Sequence, residues 1–473
     1  MKQLISNVAV IKTQKAQYPV LPPFNPPELY PEYRLGSEID ETNIVYPAVR
    51  NILKVLRLDE EHFGEKNWNP LRDFINPGDD VVIKPNLVVD SSYLTEREFS
   101  SAVTHGSVIR PLVDYAYIAT GKKGKIIIAD GPIDVTDYVD TLKMSGILDT
   151  VNHLKLEREL PLEVIDLRTE YLKTFKGFRF RSFEIGLWLL KKLCGDPEGY
   201  TVIDLKDDSE FQWIPSQTRY LRSTQLVRSI KEPKKHHTNG RHEYSISKTI
   251  LDADVIINVP KLKTHKRTGI TLSLKNIIGI TMPRNWIPHY MQHYDEYSKS
   301  APLRDKILNF LSTLRRINGF GCISIKKIGG EINVSIGGSN PDNDTLWRSI
   351  LDINKILFYA DKNSVMHDTK QREYFTLIDG IIGGENDAPL SPTPKNSKVL
   401  IGGFDPVAVD YVATKIMGFD YKKIKTMKNA LKMKKYPLGI NDASMINIVG
   451  DELDNLHFNP AYNWRENIEN RIL

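Results

Sequence analysis

Short runs of consecutive apolar, β-branched residues recur along this chain and alternate with stretches in which apolar positions recur every three or four residues. The clearest runs are residues 81–88 (VVIKPNLV), 125–132 (KIIIADGP) and 255–259 (VIINV), and such runs are typical of strands buried in a parallel sheet. Helical periodicity appears at residues 46–60 and again from Ser107 to residue 120. This alternation predicts an α/β fold with mostly parallel sheets flanked by helices, in two or more lobes around a cleft.

The same patterns predict the remaining elements. Strands are expected at residues 8–11, 162–167, 374–384 and 398–403, with a hairpin turning at Gly329-Gly330. Helices are expected at 185–193, 303–315 and 406–417, the last with Asp405 as its N-cap. A proline-rich arm follows the first strand, and residues 231–242 are expected to form a mobile surface loop.

These elements divide the chain into four expected regions. They are a strand and proline-rich arm (1–45), an α/β lobe with a variable insertion around 150–250 (46–250), a basic-loop segment with a hairpin (251–345), and a C-terminal α/β unit (346–473). At 473 residues the chain is long enough to bury a large core.

Composition narrows the classes of function. The net charge of +5, from 64 basic against 59 acidic residues, is too small an excess to indicate a nucleic-acid partner. No apolar run reaches the ~18 residues of a membrane span, and the first residues lack a signal peptide, so we expect a cytoplasmic protein. Cys194 and Cys322 are too few for an iron–sulfur cluster and are expected to be buried free thiols. The oligomeric state cannot be read from the sequence.

The segment richest in potential ligand-binding side chains lies directly after the strand at 255–259. Pro260 ends this strand, because proline cannot donate to a sheet ladder. Basic and hydroxyl side chains then follow at short intervals: Lys261, Lys263, His265, Lys266, Thr271, Ser273 and Lys275. Ligands of open α/β sheets bind at the carboxyl ends of the strands. We therefore expect a loop here that binds a small anionic ligand.

Other strand ends also carry polar residues. In a parallel sheet they would share one edge and converge on one cleft. They are Lys84, Asn86 and Thr104 near the first strand, Asp130 and Asp134 after the second, and Asp379, Asp405 and Asp410 in the C-terminal unit.

Two histidines and a lysine are the candidate catalytic residues. His105 directly precedes a predicted helix, where it could exchange protons or simply cap the helix. His265 lies among cations that are poor neighbours unless an anion binds. Lys275 lies in an apolar stretch, so it is either a nucleophile or ligand anchor, or the structural partner of Asp405 or Asp410.

Two further patterns have competing interpretations. His289 and His293 would share one face of a helix and bind a metal, or lie on an aromatic-rich surface helix. The lysine run at 421–436 is expected to be a solvated helix face, with phosphate or membrane-surface binding as the alternative.

The segments IKPNLV, ADVIINVPKLKTHKRTGITLSLKNIIG and FDPVAVDYVATKIMGFD resemble the domain of unknown function 362 family over roughly residues 80–420. Many of its members carry a cysteine-rich ferredoxin-like segment that this chain lacks, so no iron–sulfur chemistry is carried over. The spacing of His265, Gly269 and Lys275 also resembles the nickel-pincer lactate racemase family. That resemblance implies a nickel cofactor on Lys275, His105 and His265 as the acid/base pair, and His289 or His293 as the nickel ligand, although the racemases' glycine pair before the lysine is absent.

Two hypotheses follow from the sequence. One is an enzyme that acts on a hydroxy acid or a phosphorylated metabolite by proton or hydride transfer, as a racemase, epimerase or oxidoreductase does. The other is a non-catalytic protein that carries a cofactor or assists assembly of a complex.

Overall fold

A computed structural model describes residues 6–92, 94–175, 179–180, 183–184, 187–224, 231–295 and 339–469. The helix predicted at 303–315, the hairpin predicted at Gly329-Gly330 and the thiol of Cys322 lie outside these residues.

A mixed sheet organises the described part of the chain and contains eleven strands there. They are β1 (Ser6–Lys12), β2 (Val81–Pro85), β3 (Ile126–Asp130), β4 (Leu162–Asp166), β5 (Val255–Val259), β6 (Lys261–His265), β7 (Gly269–Thr271), β8 (Glu373–Asp387), β9 (Ser391–Lys395), β10 (Val399–Gly403) and β11 (Ile446–Gly450). Their order is β11-β1-β10-β8-β5-β2-β3-β4, with β6 and β9 paired to β8 and β7 paired to β6.

The centre of the sheet is parallel. Strands β8, β5, β2, β3 and β4 all run in the same direction, whereas β10 runs antiparallel to both β8 and β1. The predicted α/β class is therefore confirmed, with antiparallel pairs added to the parallel centre.

Helices cover both faces of the sheet. They are α1 (Val45–Val55), α2 (Glu96–Ala102), α3 (Gly106–Thr120), α4 (Tyr138–Met144), α5 (Ile147–Arg158), α6 (Pro233–His236), α7 (Lys248–Asp252), α8 (Ser273–Asn276), α9 (Leu346–Tyr359), α10 (Pro406–Ile416) and α11 (Lys425–Ala430). Residues of α1, α3 and α5 share one apolar cluster, and residues of α8 to α11 share the other.

The alternation of side chains along the central strands explains the two clusters. Ile83 and Ile257 belong to the cluster under α1 and α3, while Val82 and Ile256 belong to the cluster on the opposite face. Buried parallel strands are apolar on both faces for this reason, because a helix covers each face. Every residue of β2 and β5 is buried.

Short two-stranded pairs lie outside the main sheet: Glu170–Phe175 with Leu187–Lys192, Arg179–Phe180 with Phe183–Glu184, Tyr200–Asp204 with Glu243–Ser247, and Leu221–Arg222 with Tyr290–Met291. The helix predicted at 185–193 is therefore wrong from residue 187 onward. A short apolar run can form either a helix or a strand, and here pairing with another segment of the chain makes it a strand.

Three smaller predictions also need correction. The lysine-rich segment at 421–436 is helical only in α11 and in one 3-10 turn, Tyr421–Lys423. The predicted loop at 231–242 contains the short helix α6, and Cys194 is exposed rather than buried. No helix in the described ranges combines the length and the apolar character needed to span a membrane.

Candidate functional site

The basic segment is a buried β-hairpin and not the loop that the sequence predicts. After Pro260 the chain continues directly as β6, which runs parallel to the second half of the long strand β8, and returns as β7. Lys261 and Lys263 have no exposed surface. Because β8 extends past the end of β5, it offers free backbone groups that β6 can pair with.

Lys261 belongs to a closed hydrogen-bonded group. Its ammonium donates to the Tyr18 hydroxyl (2.6 Å) and to the Asp379 carboxylate (3.0 Å), and Tyr18 in turn donates to Asp379 (2.7 Å). Asp379 also accepts the backbone N–H of His105 (3.0 Å). Every polar atom of this group has a protein partner, so the group stabilises the junction of β6, β8 and the N-terminal arm.

His105 lies against this group. Its ring stacks on the ring of Tyr18 at 4.1 Å and contacts Phe24 of the proline-rich arm. Its Nδ1 accepts the backbone N–H of Ser107 and caps α3. Burial, together with the charge of Lys261, lowers the pKa of His105 to about 3, so the imidazole is neutral at pH 7. The capping role that the sequence offered as an alternative is therefore observed.

A second polar group lies at the carboxyl ends of β2 and β3. Lys84 donates to Asp130 (2.6 Å), which also accepts the backbone N–H of Leu87 (2.8 Å). Burial lowers the pKa of Lys84, while Asp130 partly opposes that effect. The backbone of Gly279 covers this ion pair so closely that a Cβ there would lie 2.3 Å from Asp130 Oδ1.

A chain of amide side chains links this ion pair to the hairpin. Asn86 donates to Asn276 (2.9 Å), Asn276 donates to Asn258 (2.7 Å), and Asn258 donates to Tyr374 (2.7 Å). Asn86 also accepts from Lys263 (3.0 Å). Fully bonded buried amides fix the positions of the groups that they join, so this chain holds Lys263 in place.

Three cations at the edge of this group have no ion pair to a carboxylate anywhere in the described ranges: Lys263, Lys275 and Arg284. Lys263 donates only to neutral oxygens, those of Asn86 and the Ala102 backbone. Arg284 donates to the Gly131 carbonyl, and its buried Nε has no hydrogen-bond partner among the described residues. We call these three residues the cationic cluster.

Lys275 is the most unusual member of the cationic cluster. Burial, followed by the charges of Arg284, Arg267 and Lys84, lowers its pKa to about 7. Within the described residues its ammonium makes no hydrogen bond, although the side chain keeps some contact with solvent. A partly buried lysine that is surrounded by cations is a position where an anion would be stabilised.

His265 lies beside the cationic cluster. Its Nδ1 accepts the backbone N–H of Arg267 and is 3.1 Å from the Thr268 hydroxyl, which leaves the proton of the neutral ring on Nε2. Burial, then Lys275 and Arg267, lower the pKa of His265 well below its usual value. Lys275 is the charge with the largest effect on this pKa, so the two predicted residues are neighbours.

The acidic residues of the C-terminal unit have structural partners. Asp410 accepts the backbone N–H groups of Ser273 and Leu274, at 2.7 and 3.0 Å, and so positions the turn that carries Lys275. Burial raises the pKa of Asp410 to about 7. It is therefore not the ion-pair partner of Lys275 that the structural interpretation of the sequence required.

The prediction that Asp405 shares the ligand edge is wrong. Strand β10 runs antiparallel to β8, so its carboxyl end lies at the opposite edge of the sheet. There Asp405 accepts the backbone N–H groups of Val407, Ala408 and Ile440.

The predicted hydroxyl residues differ in their partners. Thr104 donates to the Val259 carbonyl and accepts from the Asn86 backbone, and the Ser273 hydroxyl is 3.0 Å from that of Thr376. Thr271, which pairs with Lys263 across the hairpin, has a buried hydroxyl without a hydrogen-bond partner in the described part of the chain. Of the three, Thr271 is the one that retains unused bonding capacity toward a ligand.

The predicted metal pair does not form. His289 is buried and His293 is exposed, because the segment is a two-residue strand rather than a helix. No group of three or more histidine, cysteine or acidic side chains in the described residues could hold a metal ion. Around Lys275, guanidinium and ammonium groups predominate, and they repel a divalent cation. The residues therefore do not fit the nickel cofactor implied by the racemase resemblance.

Sequence reasoning missed four residues that the structure places at these groups: Tyr18, Asn258, Asn276 and Arg284. Tyr18 lies 243 residues from its partner Lys261, and no local pattern marks it. Asn258 and Asn276 had a detectable signal, because Asn258 is an amide inside an otherwise apolar run and Asn276 directly precedes the apolar residues 277–280. A buried amide must find partners, so its position in such a run is informative.

Together, the fold and the polar groups define an α/β protein with a buried cationic site beside the carboxyl edge of its parallel strands. Residues 207–415 match the family model described as "Domain of unknown function (DUF362)", and over this segment the chain is similar to that family. The matched segment carries Lys263, His265, Lys275 and Arg284, whereas Lys84 lies before it.

One curated relative is the "Thylakoid-associated protein sll1697" of Synechocystis sp.. It is 24% identical over 182 residues, and the match covers 38% of this chain and 38% of the relative. The chain thus spans well under half of the relative's length in this alignment.

Proposed function

We propose that the protein binds a small anion, with a carboxylate or phosphate group, at the cationic cluster, and that it acts on this ligand as an enzyme. The observation that carries the proposal is the group of Lys263, Lys275 and Arg284, none of which makes a direct ion pair with a carboxylate in the described part of the chain, although Asp130 and Asp134 act on Arg284 from a greater distance. Buried charges of one sign are costly unless an opposite charge joins them. An anion supplies that charge.

The mutual effects of the cations support this assignment. Lys275 is the charge that most lowers the pKa of Lys263, and Arg284 is the charge that most lowers the pKa of Lys275. Lys275 therefore raises the free energy of Lys263, and Arg284 raises that of Lys275, in the absence of a ligand. Arg284 Nε and the hydroxyl of Thr271 add unused hydrogen-bond donors to the site, and donors of this kind orient an oxyanion.

His265 is the proton carrier in this proposal. The sequence hypothesis paired it with His105, but His105 is stacked on Tyr18, contacts Phe24 and has a pKa of about 3, which is poorly matched to proton transfer at neutral pH. A bound anion would offset the charges of Lys275 and Arg267 that hold down the pKa of His265. The binding of the substrate thereby prepares the histidine for its role.

Binding can be tested with sulfate, which keeps its charge between pH 6 and 8. We expect sulfate to raise the melting temperature of the wild-type protein and to give saturable heat in isothermal titration, since a ligand that binds only the folded state stabilises it. Arg284→Gln should weaken sulfate binding by about tenfold, the effect of losing about 1.4 kcal/mol.

Arg241→Gln is the matched control, because Arg241 is half-exposed and its ion pair with Glu243, at 3.5 Å, lies at the surface. Equal sulfate affinity in the Arg284 and Arg241 variants would refute the assignment of the site. Catalysis is tested separately by screening hydroxy acids and phosphorylated metabolites for turnover. His265→Ala should abolish turnover while leaving the sulfate-induced stabilisation in place.

An accessory role is the second candidate. The proline-rich arm exposes Val20 (79%) and Leu21 (73%), and exposed apolar side chains at one place favour a protein contact. The curated relative's name describes that protein as associated with thylakoids. Crosslinking in a native lysate tests the role: a stoichiometric partner joined to the arm favours it, and turnover without such a partner contradicts it.

A further inference from the structure

We propose that the ligand is an anionic aldehyde or ketone and that Lys275 forms an imine with its carbonyl carbon. This inference rests on the proposed function, because the anionic group of the substrate is what the neighbouring cations would hold. It adds the substrate class and a covalent role for one side chain.

The placement of Lys275 carries the inference. Its ammonium has no hydrogen bond or ion pair within the described residues, and the residue as a whole is only partly buried. A structural lysine would be paired, as Lys84 is with Asp130 and Lys261 with Asp379. An unpaired amine among other cations is instead available to a ligand.

The surroundings also make this amine reactive. A lysine next to other cations loses its proton more readily, and the neutral amine is the nucleophile. At pH 7, about half of Lys275 is neutral, against roughly one part in a few thousand for a lysine with the ordinary pKa of 10.5. Asp410 fixes the backbone on which Lys275 is carried, so the amine is presented from a rigid turn.

The step balances without any oxidant or reductant. The lone pair of Lys275 Nζ attacks the carbonyl carbon, forming an N–C bond while the C=O π electrons move to oxygen, and one of the two amine protons is transferred to that oxygen to give a carbinolamine. The nitrogen then loses its second proton, the hydroxyl takes up a proton and leaves as water, and the imine forms. His265, whose Nε2 carries the ring proton, is the neighbour that can hydrogen-bond to the departing oxygen.

The test uses the full-length protein with glyoxylate, an anionic aldehyde, and glycolaldehyde, a neutral one of similar size. Borohydride reduces any imine to a stable amine, and peptide mapping by mass spectrometry locates it. We expect glyoxylate to label Lys275 at pH 7 at least tenfold more than any exposed lysine, and sulfate to suppress this labelling. Glycolaldehyde should label Lys275 less than glyoxylate does.

The outcomes separate the two proposals. If glyoxylate leaves Lys275 unlabelled while sulfate still stabilises the protein through Arg284, the imine is refuted and the anion site stands. If both aldehydes label Lys275 equally and sulfate has no effect, the anionic substrate class is refuted together with the proposed function. The mapping is done on wild-type protein, so it does not depend on a variant that folds. Lys275→Arg serves as a second check, because it keeps the charge and should lose the label.

Discussion

Replacing Lys275 with methionine should stabilise the ligand-free protein, although it removes a residue of the proposed site. Methionine fills nearly the same volume as the lysine stem, so packing is retained. The substitution removes a charge that burial and three neighbouring cations disfavour. Sites that are arranged for a ligand commonly lower stability in this way.

The magnitude follows from the pKa of Lys275. The fall from 10.5 to about 7 corresponds to about 5 kcal/mol at 1.36 kcal/mol per pKa unit. Because the side chain keeps contact with solvent, screening reduces this value, and we expect a gain of about 2 kcal/mol.

The gain should depend on pH in a defined direction. The unfolded chain holds the proton up to pH 10.5 and the folded chain releases it near pH 7, so the wild-type penalty is complete below pH 7 and decreases as the pH rises. Urea unfolding at pH 6 and pH 9 measures it. The advantage of Lys275→Met should be largest at pH 6 and about half as large at pH 9.

Lys122→Met, at an exposed position, is the control and should change the unfolding midpoint little at either pH. A Lys275→Met variant that is less stable than wild type by the same amount at both pH values would refute the reasoning. That result would mean that a favourable partner holds the ammonium in the folded protein.

Three further predictions concern the residues that support the site. Gly279→Ala should lower the unfolding free energy by about 1–3 kcal/mol in urea titrations, since its Cβ would lie 2.3 Å from Asp130 Oδ1; an unchanged midpoint would contradict the close approach. Burial raises the pKa of Asp410 to about 7, so as the pH rises the unfolded chain releases this proton near pH 4 and the folded chain only near pH 7. The unfolding free energy of the wild type therefore decreases from about pH 4 to pH 7. Asp410→Asn should flatten that slope in unfolding midpoints measured at pH 5 and pH 8, and an unaltered slope would argue against a buried, protonated acid. Tyr18→Phe should cost about 1–3 kcal/mol by thermal or urea unfolding, because Asp379 loses a buried donor; a neutral effect would show that water replaces the hydroxyl.

Much of the fold could be predicted because its signals are local. The strands at 81–85, 126–130 and 255–259 are continuous apolar runs, and the helices that begin at Val45 and Pro406 have regular apolar spacing. The helix predicted from residue 185 was wrong because the structure of that segment depends on a pairing that is not local. Its segment is short and apolar, and it forms a strand from Leu187 because Glu170–Phe175 is available to pair with it.

The candidate site could be predicted only in part. Lys263, His265, Lys275 and Thr271 come from one dense segment, and the structure places them close to one another. Asp405 was misplaced because the direction of β10 depends on its distant pairing with β1 and β8. Arg284 carried no signal in the sequence beyond being an arginine.

The sequence by itself determined that this is an α/β protein and that its basic segment follows a buried strand, since both depend on neighbours along the chain. The tertiary structure alone separated the cations that are paired from those that are not. Lys261 gains Asp379 from a strand more than a hundred residues away, whereas Lys275 meets Arg284, Arg267 and Lys84. The charge that a lysine experiences depends on distances through space, which the order of residues does not encode locally.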